Sequence, residues 1–528
     1  MQTWITPPHG PTSPSLPVTV HQERSSSGRR AESRQRPYTS RHHRKTYDLR
    51  TVSAQAEPDP TTLRVLPWLV AVGLFMEHLD ISILNTAIPV IAEDMGITAL
   101  SLKAVLTSYT LALAIFIPVS GWVADRYGTR RVFRTAVAVF TIGSLLCGLS
   151  TNLPMLIASR FIQGVGGSMM VPVGRIALIR AYPRSRMLAM MNYVVIPALI
   201  APLVGPFIGG SIVHLFPWRT IFLVNIPIGL AGWWMIRRHM PDFRDTAETP
   251  LDRIGMVLFG AGIALLSYVL EVFGEHSWPP MGIAFLFATS IVLLIGYRMH
   301  ARHTAHPLLY MRLFAVRTFR IPVIGGFITR LGVGGMPFLL PLLYQIGLGY
   351  SPLEAGLLTT PLAVAAIGMK IMSRGLLARY GHRQVLLWNT WLLGACIMLY
   401  ALVDTRTPVS IIVLLSLLQG LFSSLQFTCM NSLTYADVDD ERASEASSIA
   451  STAQQLALSF GVAVASLVAA LFLDHIPQSD RSAYIGGLHH TFLVLGGFTI
   501  VSGLLFRGLR RMDGANVSHF MLRQEAVA

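Results

Sequence analysis

The sequence is poor in charged residues, and lysine supplies almost none of its positive charge. Only 13% of the 528 residues are charged, whereas soluble domains carry about 25%. Lysine occurs only at Lys45, Lys103 and Lys370, so arginine accounts for nearly all of the basic residues behind the net charge of +15. Hydrophobic residues make up 52% of the chain. A long apolar chain with so few charges is expected to have lipid as its main solvent.

Cysteines and catalytic motifs are equally scarce, which argues against several classes of protein. The three cysteines, Cys147, Cys396 and Cys429, lie inside apolar runs and offer neither a disulfide framework nor a zinc site. The chain has no HExxH, no GxSxG and no Walker A loop. Its acidic cluster at residues 437–441 is typical of a solvated loop, with metal binding as the alternative. We therefore expect no cofactor, no metal site and no enzymatic activity, and a non-transporting membrane sensor stays open as a remote alternative.

Residues 1–62 differ from the rest of the chain. They are rich in serine, proline, arginine and histidine and show no apolar period, which predicts a disordered basic tail. They also lack the apolar core of a signal peptide. Because the next methionine, Met76, lies inside the first apolar run, a non-methionine start near Val52 or Leu63 is the alternative.

Fourteen apolar runs follow, each close to the roughly 20 residues that cross a bilayer as a helix. Several contain glycine and proline, which membrane helices tolerate. The pattern predicts an all-α integral membrane protein with fourteen transmembrane helices. The runs cover residues 65–90, 104–123, 134–150, 154–178, 187–213, 219–236, 254–274, 281–299, 319–344, 354–373, 384–403, 408–433, 447–473 and 488–507.

The arginines are distributed unevenly among the loops between these runs. With the N-terminus placed inside, the even-numbered loops and the C-terminal tail hold nearly all of them, and the other side holds only Lys103, Arg219, Arg406 and Arg481. By the positive-inside rule, this asymmetry predicts that both termini lie in the cytoplasm, which requires an even number of helices. It also explains the basic composition without a nucleic-acid partner.

The first loop on the predicted inner side reads GWVADRYGTRR. Its glycines allow a tight turn and close helix approach, and its aspartate can pair with arginine. The loop resembles the signature between helices two and three of the major facilitator superfamily, which implies that it latches the two halves on the cytoplasmic side. A weaker echo, Arg379-Tyr380-Gly381, has Ala378 in place of the acid and indicates an internal repeat with a degenerate second latch. The residues of the first loop motif are Gly121, Asp125, Arg126, Gly128, Arg130 and Arg131.

Further motifs lie within the predicted helices. Helix five has small residues four apart, which let helix backbones touch, in a pattern that is similar to the antiporter motif of drug exporters. Helices one and four, through Asp80 with Asn85 and Arg160 with Gln163, resemble motifs of the fourteen-helix drug:proton antiporter group, the EmrB/QacA family. The residues of the helix-five motif are Gly205, Pro206, Gly209 and Gly210.

This resemblance implies a major facilitator fold of six plus two plus six helices in the plasma (inner) membrane of a bacterium. It implies export of small molecules in exchange for protons, although an importer would have the same fold. The substrate and the oligomeric state stay open. The implied regions are a six-helix bundle at residues 63–240, two inserted helices at 241–303, a second six-helix bundle at 304–510 and a cytoplasmic tail at 511–528.

Ionisable residues inside the predicted helices are functional candidates because charge is costly in a membrane. Glu77 and Asp80 lie one turn apart on one helix face. Two close carboxylates oppose each other's ionisation, so one of them can carry a proton near neutral pH. We predict that Asp80 and Glu77 couple transport to protons, and the resemblance places Arg160 in the same task. The alternative for Asp80 is a structural ion pair with a buried arginine such as Arg160.

Two cations, Arg330 and Lys370, lie in C-terminal helices whose interiors lack acids. If both face a central cavity, the site suits an anion, so an organic-anion (carboxylate) exporter is the alternative function. For Lys370, snorkelling to the membrane surface is an equally simple explanation. The polar residues Asn85, Gln163 and Asn192 are candidates to line the cavity, with hydrogen bonding between helices as the alternative. The expected partners are a small-molecule substrate, protons and the lipid bilayer.

Overall fold

The computed structural model describes residues 60–518, apart from residues 183, 245–249, 274–278, 440–441, 475 and 479. The predicted tail at 1–62 falls almost entirely outside this range, as does 519–528 of the predicted C-terminal tail. The end of the acidic cluster and the side chain of Asn192 also lie outside the described residues. Within these residues the regular elements are helices, with no strand, which confirms the all-α prediction.

Thirteen helices of fifteen residues or more form the described part of the chain. The ninth of these helices is extended beyond its C-terminal end by two short helical pieces, Met336–Pro341 and Leu342–Gly347. The helices are α1 (Pro60–Met95), α2 (Lys103–Tyr127), α3 (Thr129–Gly148), α4 (Leu153–Ala181), α5 (Arg184–Leu215), α6 (Asn225–His239), α7 (Arg253–Val272), α8 (Pro280–His303), α9 (Arg317–Val333), α10 (Pro352–Leu399), α11 (Val409–Thr434), α12 (Ala443–Leu473) and α13 (Arg481–Ser502).

Twelve helical segments of the described residues are long and apolar enough to cross a membrane, against the fourteen predicted. The difference arises at two places. The runs predicted at 354–373 and 384–403 both fall within one continuous segment, Pro352–Leu402. The run predicted at 187–213 falls in α5, of which only Ile200–Leu215 is counted, as a shorter apolar helix.

The long helix α10 is interrupted at Gly381. The backbone there has φ 72° and ψ 161°, which is not helical. L-residues with a side chain rarely adopt a positive φ, whereas glycine does so readily. Gly381 therefore separates α10 into two helical stretches, which correspond to the two predicted runs.

Short polar side chains begin several of the helices. Asn152 accepts the Met155 N–H at 2.9 Å before α4, and Asp480 accepts the Ala483 N–H at 3.1 Å before α13. At the start of α10, Ser351 and Glu354 form a reciprocal capping box. Such caps accept hydrogen bonds from the free N–H groups of a first helical turn, and each cap stabilises the helix by about 1 kcal/mol. They explain why these helices begin where they do.

The backbone shows an internal repeat at turns between helices. Gly96 and Gly349 both have positive φ, as do Gly128 and Gly381, and both pairs are separated by 253 residues. A similar helix contact also occurs in both halves: Gly164 packs on the carbonyl of Tyr109, and Gly420 packs on the carbonyl of Leu362, which lies 253 residues after Tyr109. The repeat predicted from one three-residue echo thus extends over turns and helix contacts.

Contacts between helix ends show which ends share a face. Arg180 at the end of α4 donates to Asp125 at the end of α2 at 2.7 Å. The Thr129 N–H at the start of α3 donates to the Phe243 carbonyl after α6 at 3.0 Å. We call this the arginine-rich face. On the opposite face, the Trp218 indole donates to Asp94 at the end of α1 at 2.7 Å.

The helices α7 and α8 form a pair beside the bundle. They pack along each other, and Ser290 of α8 donates to the Gly262 carbonyl of α7 at 2.8 Å. In turn, α7 contacts α2 and α12. The pair therefore lies against one helix from each repeat.

Candidate transport site

Asp80, in the middle of α1, is buried and accepts hydrogen bonds from three side chains. Arg160 of α4 forms an ion pair with it through Nη1. Gln163 donates to the Asp80 carboxylate at 2.8 Å, and Asn225 at the start of α6 donates to it at 2.7 Å. Since Gln163 Oε1 also accepts from Arg160 Nη1 at 2.7 Å, the side chains hold one another in place.

The surroundings of Arg160 complete this network. Its guanidinium carbon lies 4.4 Å from the ring centre of Tyr109, and its Nε donates to the Val105 carbonyl at 3.4 Å. Asn225 also donates to Ser144 of α3 at 3.1 Å, so five helices, α1, α2, α3, α4 and α6, contribute to the network around Asp80. The aromatic face and the carboxylate both offset part of the cost of burying the Arg160 charge. Arg160 Nη2 and the Tyr109 hydroxyl have no hydrogen-bond partner among the described residues.

Glu77 differs from Asp80 although it lies one turn away on the same helix. Its side chain lines the central cavity, but the residue is only 5% exposed. Its Oε2 has no hydrogen-bond partner, and the described residues give it no ion pair. One carboxylate of the predicted pair is therefore held in a closed network, while the other is presented unpaired to the cavity.

The central cavity has a volume of about 1370 Å³ and lies between the two repeats. Residues at the arginine-rich face, such as Pro250, His306 and Tyr435, belong to its lining, so the cavity reaches that face. A strip of hydroxyl and amide side chains along α12 forms one wall. Polar residues of the lining include Glu77, His78, Asn85, Arg175, Lys370, Gln419, Ser447, Ser451, Gln454 and Gln455.

Close backbone contacts shut the cavity toward the opposite face. A Cβ on Gly356 of α10 would lie 2.2 Å from the Pro206 carbonyl oxygen, and one on Gly210 would lie 2.4 Å from the Pro352 carbonyl oxygen. The helices α5 and α10 therefore touch with no room for a side chain between them. Gln345 adds a hydrogen bond to the Thr86 carbonyl at 2.8 Å.

The same helix-five motif also fixes α5 to α1. A Cβ on Gly205 would lie 2.5 Å from the Ser82 side chain, and one on Gly209 would lie 2.4 Å from the Thr86 hydroxyl. Three glycines of the motif thus contact a neighbouring helix directly, and Pro206 lines the cavity. The motif joins the helix that carries Asp80 to the closure of the opposite face.

The loop motif lies at the arginine-rich face. Gly128 has φ 90°, and a Cβ there would lie 2.3 Å from the Asp242 carboxylate, which also accepts the Arg130 N–H at 3.1 Å. A Cβ on Gly121 would meet nothing within 4 Å. These contacts and the Asp125–Arg180 pair hold the loop to α4 and to the chain after α6. Arg126 and Arg131 are exposed at the same face. Latching of the two halves stays a prediction.

The predicted cavity residues fall in three places. Asn85 and Lys370 line the cavity, and Lys370 is exposed there. Gln163 belongs instead to the network around Asp80. Arg330 is buried behind the cavity wall, where it stacks on Phe427 at 4.5 Å. Its Nη2 lies 3.5 Å from Oε1 of the lining residue Gln454.

Several site residues were missed because the sequence gives no partner for them. Tyr109, Ser144 and Asn225 are single polar groups in apolar runs. At the mouth of the cavity, Arg175 Nη1 donates to Ser447 of α12 at 2.9 Å. One sequence signal could have indicated Tyr109. A polar residue three or four positions from a small residue lies on the same helix face, where a neighbouring helix can pack closely.

Comparison with known proteins identifies the family. A family model described as Major Facilitator Superfamily matches residues 70–316 and 322–522. The chain belongs to this superfamily. It is therefore a transporter rather than a membrane enzyme, as the sequence predicted.

Individual relatives agree with this assignment. A protein of Escherichia fergusonii with the provisional name multidrug resistance protein MdtD is 39% identical over 462 residues, which cover 87% of this chain and 97% of the relative. Two solved structures share the fold. A bacterial homologue of the human lysosomal transporter Spinster, inward-facing and unoccupied, is 13% identical with a TM-score of 0.62, over 88% of this chain and 98% of that one. A D-xylose–proton symporter is 14% identical with a TM-score of 0.62, over 86% and 99%.

Proposed function

We propose that this chain is a proton-coupled exporter that moves small molecules out of a bacterial cell through its plasma (inner) membrane. The observation that carries the proposal is the pair of acids in α1. Asp80 is locked to Arg160, whereas Glu77 faces the cavity without a partner. The names of the MdtD relatives, which refer to multidrug resistance, support export of small molecules.

The proposed topology has fourteen crossings, as six plus two plus six. Gly381 divides α10 into two stretches that each cross once, and α5 crosses over its full length, Arg184–Leu215. The paired helices α7 and α8 are the two inserted crossings. By the positive-inside rule, the arginine-rich face lies in the cytoplasm together with both termini.

The proposed cycle follows from this orientation. The cavity reaches the cytoplasmic face and is shut on the other side, so it represents the state that takes up cargo from the cell. A proton that arrives at Asp80 from outside removes its negative charge and weakens the pair with Arg160. The network that joins α1, α4 and α6 then has two arrangements, and the loss or gain of one proton shifts the balance between them.

A fluorescence assay in everted membrane vesicles tests this function. Respiration acidifies the vesicle interior, and a cargo that is exchanged for protons raises the internal pH when it is added. We expect such a response to at least one compound of a panel of amines, acids and neutral drugs. Vesicles with the Asp80→Asn variant should not respond. A response of the variant equal to that of the parent chain would contradict the assignment of Asp80.

An organic-anion exporter is the second candidate. The cavity mouth carries Arg175 and Lys370, and Arg330 lies just behind the wall. These cations favour acidic groups in the cargo. Export of cationic dyes that is unaffected by Arg330→Ala would count against this version.

A further inference from the structure

Glu77 and Arg330 are opposite charges at equivalent positions of the internal repeat. They are 253 residues apart, which is the separation of the paired turns at Gly96 and Gly349. Both are buried, with 5% and 6% of their surface exposed. Each lies in the first helix of its repeat, so the two charges approach the cavity from corresponding sides.

The Glu77 side offers a hydrogen-bond acceptor to the cavity. Its carboxylate belongs to the lining, and its Oε2 has no protein partner. Within the part of the chain that the structure describes, no cation is paired with it. An ammonium group of a ligand would satisfy this carboxylate directly.

The Arg330 side offers positive charge through one intervening side chain. Arg330 Nε has no hydrogen-bond partner, and no carboxylate pairs with Arg330 among the described residues. Its Nη2 lies against Oε1 of Gln454, which lines the cavity. An acidic group bound to the Gln454 amide would therefore lie next to a buried guanidinium.

We propose that the cavity binds zwitterions, with the ammonium group on Glu77 and the acidic group on Gln454 in front of Arg330. The inference rests on the proposed transport function, since it treats the cavity as the cargo site. Unpaired charges are strongly unfavourable in a membrane interior and are kept where function uses them. A lipophilic cation would neutralise only Glu77, and a carboxylate would neutralise only Arg330.

Equilibrium binding to the purified full chain in detergent, at pH 7 and without any gradient, tests the proposal. Calorimetry would compare two series, each with one carbon skeleton as a zwitterion, an amine and a carboxylate. The first series is phenylalanine, 2-phenylethylamine and 3-phenylpropionate, and the second is leucine, 3-methylbutylamine and 4-methylpentanoate. We expect at least one zwitterion to bind about tenfold more tightly than both of its matched compounds, which corresponds to one charge-assisted contact.

Two variants with matched controls locate the charges. Glu77→Gln should reduce zwitterion affinity to that of the matched acid, and Arg330→Gln should reduce it to that of the matched amine. Arg330→Lys, which keeps the charge, should retain most of the preference and serves if Arg330→Gln does not fold. Glu93→Gln on α1 and Arg320→Gln on α9, both exposed, should change nothing.

The proposal is overturned if no zwitterion of either series binds, if amines or acids bind as tightly as zwitterions, or if the preference survives both neutral variants. These outcomes are separable from failure of the proposed function. If the chain binds zwitterions but moves no protons, the zwitterion site stands and the proposed proton coupling fails. If transport is coupled to protons but the chain prefers simple amines, the coupling stands and the zwitterion site fails.

Discussion

Arg160 forms an ion pair with Asp80 that is closed off from the cavity, while Glu77, one turn away on the same helix, lines the cavity unpaired. Sequence alone gave these acids the same environment. The structure separates them because Arg160, Gln163 and Asn225 all approach the face of α1 that bears Asp80. The two carboxylates therefore contribute differently to stability and to transport.

Neutralising Asp80 should strongly destabilise the protein. Asp80→Asn leaves Arg160 buried without its counter-ion, and breaking a buried ion pair from one side costs about 3–5 kcal/mol. We expect a clear fall in the melting temperature of the purified protein, measured by differential scanning fluorimetry in detergent. Glu77→Gln should leave the melting temperature unchanged or raise it, because it removes an unpaired charge.

The double variant Asp80→Asn with Arg160→Gln is the control for this prediction. It removes both charges and should recover much of the lost stability while transport stays absent. Equal melting temperatures for Asp80→Asn and Glu77→Gln would contradict the distinction drawn between the two acids.

The contact of Gly356 with Pro206 should hold the opposite face shut. Gly356→Ala places a methyl group where only 2.2 Å separates it from a carbonyl oxygen, so α5 and α10 must move apart. With Gln345→Cys as a reporter, we expect several-fold faster labelling by a membrane-impermeant maleimide from that face. The native cysteines are buried, which keeps background labelling low.

Gly368→Ala, in the same helix, is the matched control, because a Cβ there meets nothing within 4 Å. It should label at the rate of the Gln345→Cys parent. If Gly356→Ala labels no faster than Gly368→Ala, the glycine contact does not control access.

The break at Gly381 predicts that α10 crosses the membrane twice. Single cysteines in place of Ser351 and Arg406 should react with an impermeant reagent added outside the cell, and one in place of Arg379 should react only from the cytoplasm. The readout is labelling in intact cells and in everted vesicles. Labelling of positions 351 and 406 from different sides would refute the fourteen-helix topology.

Much of the helical pattern could be predicted from the sequence, because an apolar run has the length of a bilayer whatever its neighbours are. The two runs on either side of Gly381 were predicted as separate runs, and the backbone is not helical at that residue. The orientation of Arg330 could not be predicted. Periodicity shows which residues share a helix face, but the position of Arg330 behind Gln454 depends on how α9 and α12 pack. The same limit applies to Tyr109 under Arg160.

Asp252 connects the start of α7 to His300 of α8 and to the chain at Leu308, and we call these contacts the Asp252 junction. This junction should make the stability of the folded protein depend on pH in the acid range. Burial raises the pKa of the Asp252 carboxyl, but hydrogen bonds from the Gly255 N–H, His300 and the Leu308 N–H outweigh it, so the pKa is lower than usual. A lowered carboxyl pKa contributes stability above the unfolded value of about 4, and this contribution is lost as the pH falls through the folded value.

Asp252→Asn should therefore lower the melting temperature at pH 7, and the deficit should shrink as the pH falls below about 4. Melting curves of variant and parent over that range provide the test. Asp474→Asn, at an exposed position after α12, serves as the control. A deficit that is the same at every pH would show that hydrogen bonds and packing, rather than the charge of Asp252, stabilise the junction.

Transport in proteoliposomes with an imposed pH gradient tests the central claim most directly. Purified chain is reconstituted, the interior is made acidic without a membrane potential, and uptake of a responding compound is measured with and without a protonophore. We predict uptake above the equilibrium level. The protonophore should abolish this uptake, Asp80→Asn should lack it and Glu93→Gln should retain it. Uptake that is equally large without the gradient, or that persists in Asp80→Asn, would contradict proton-coupled transport through Asp80.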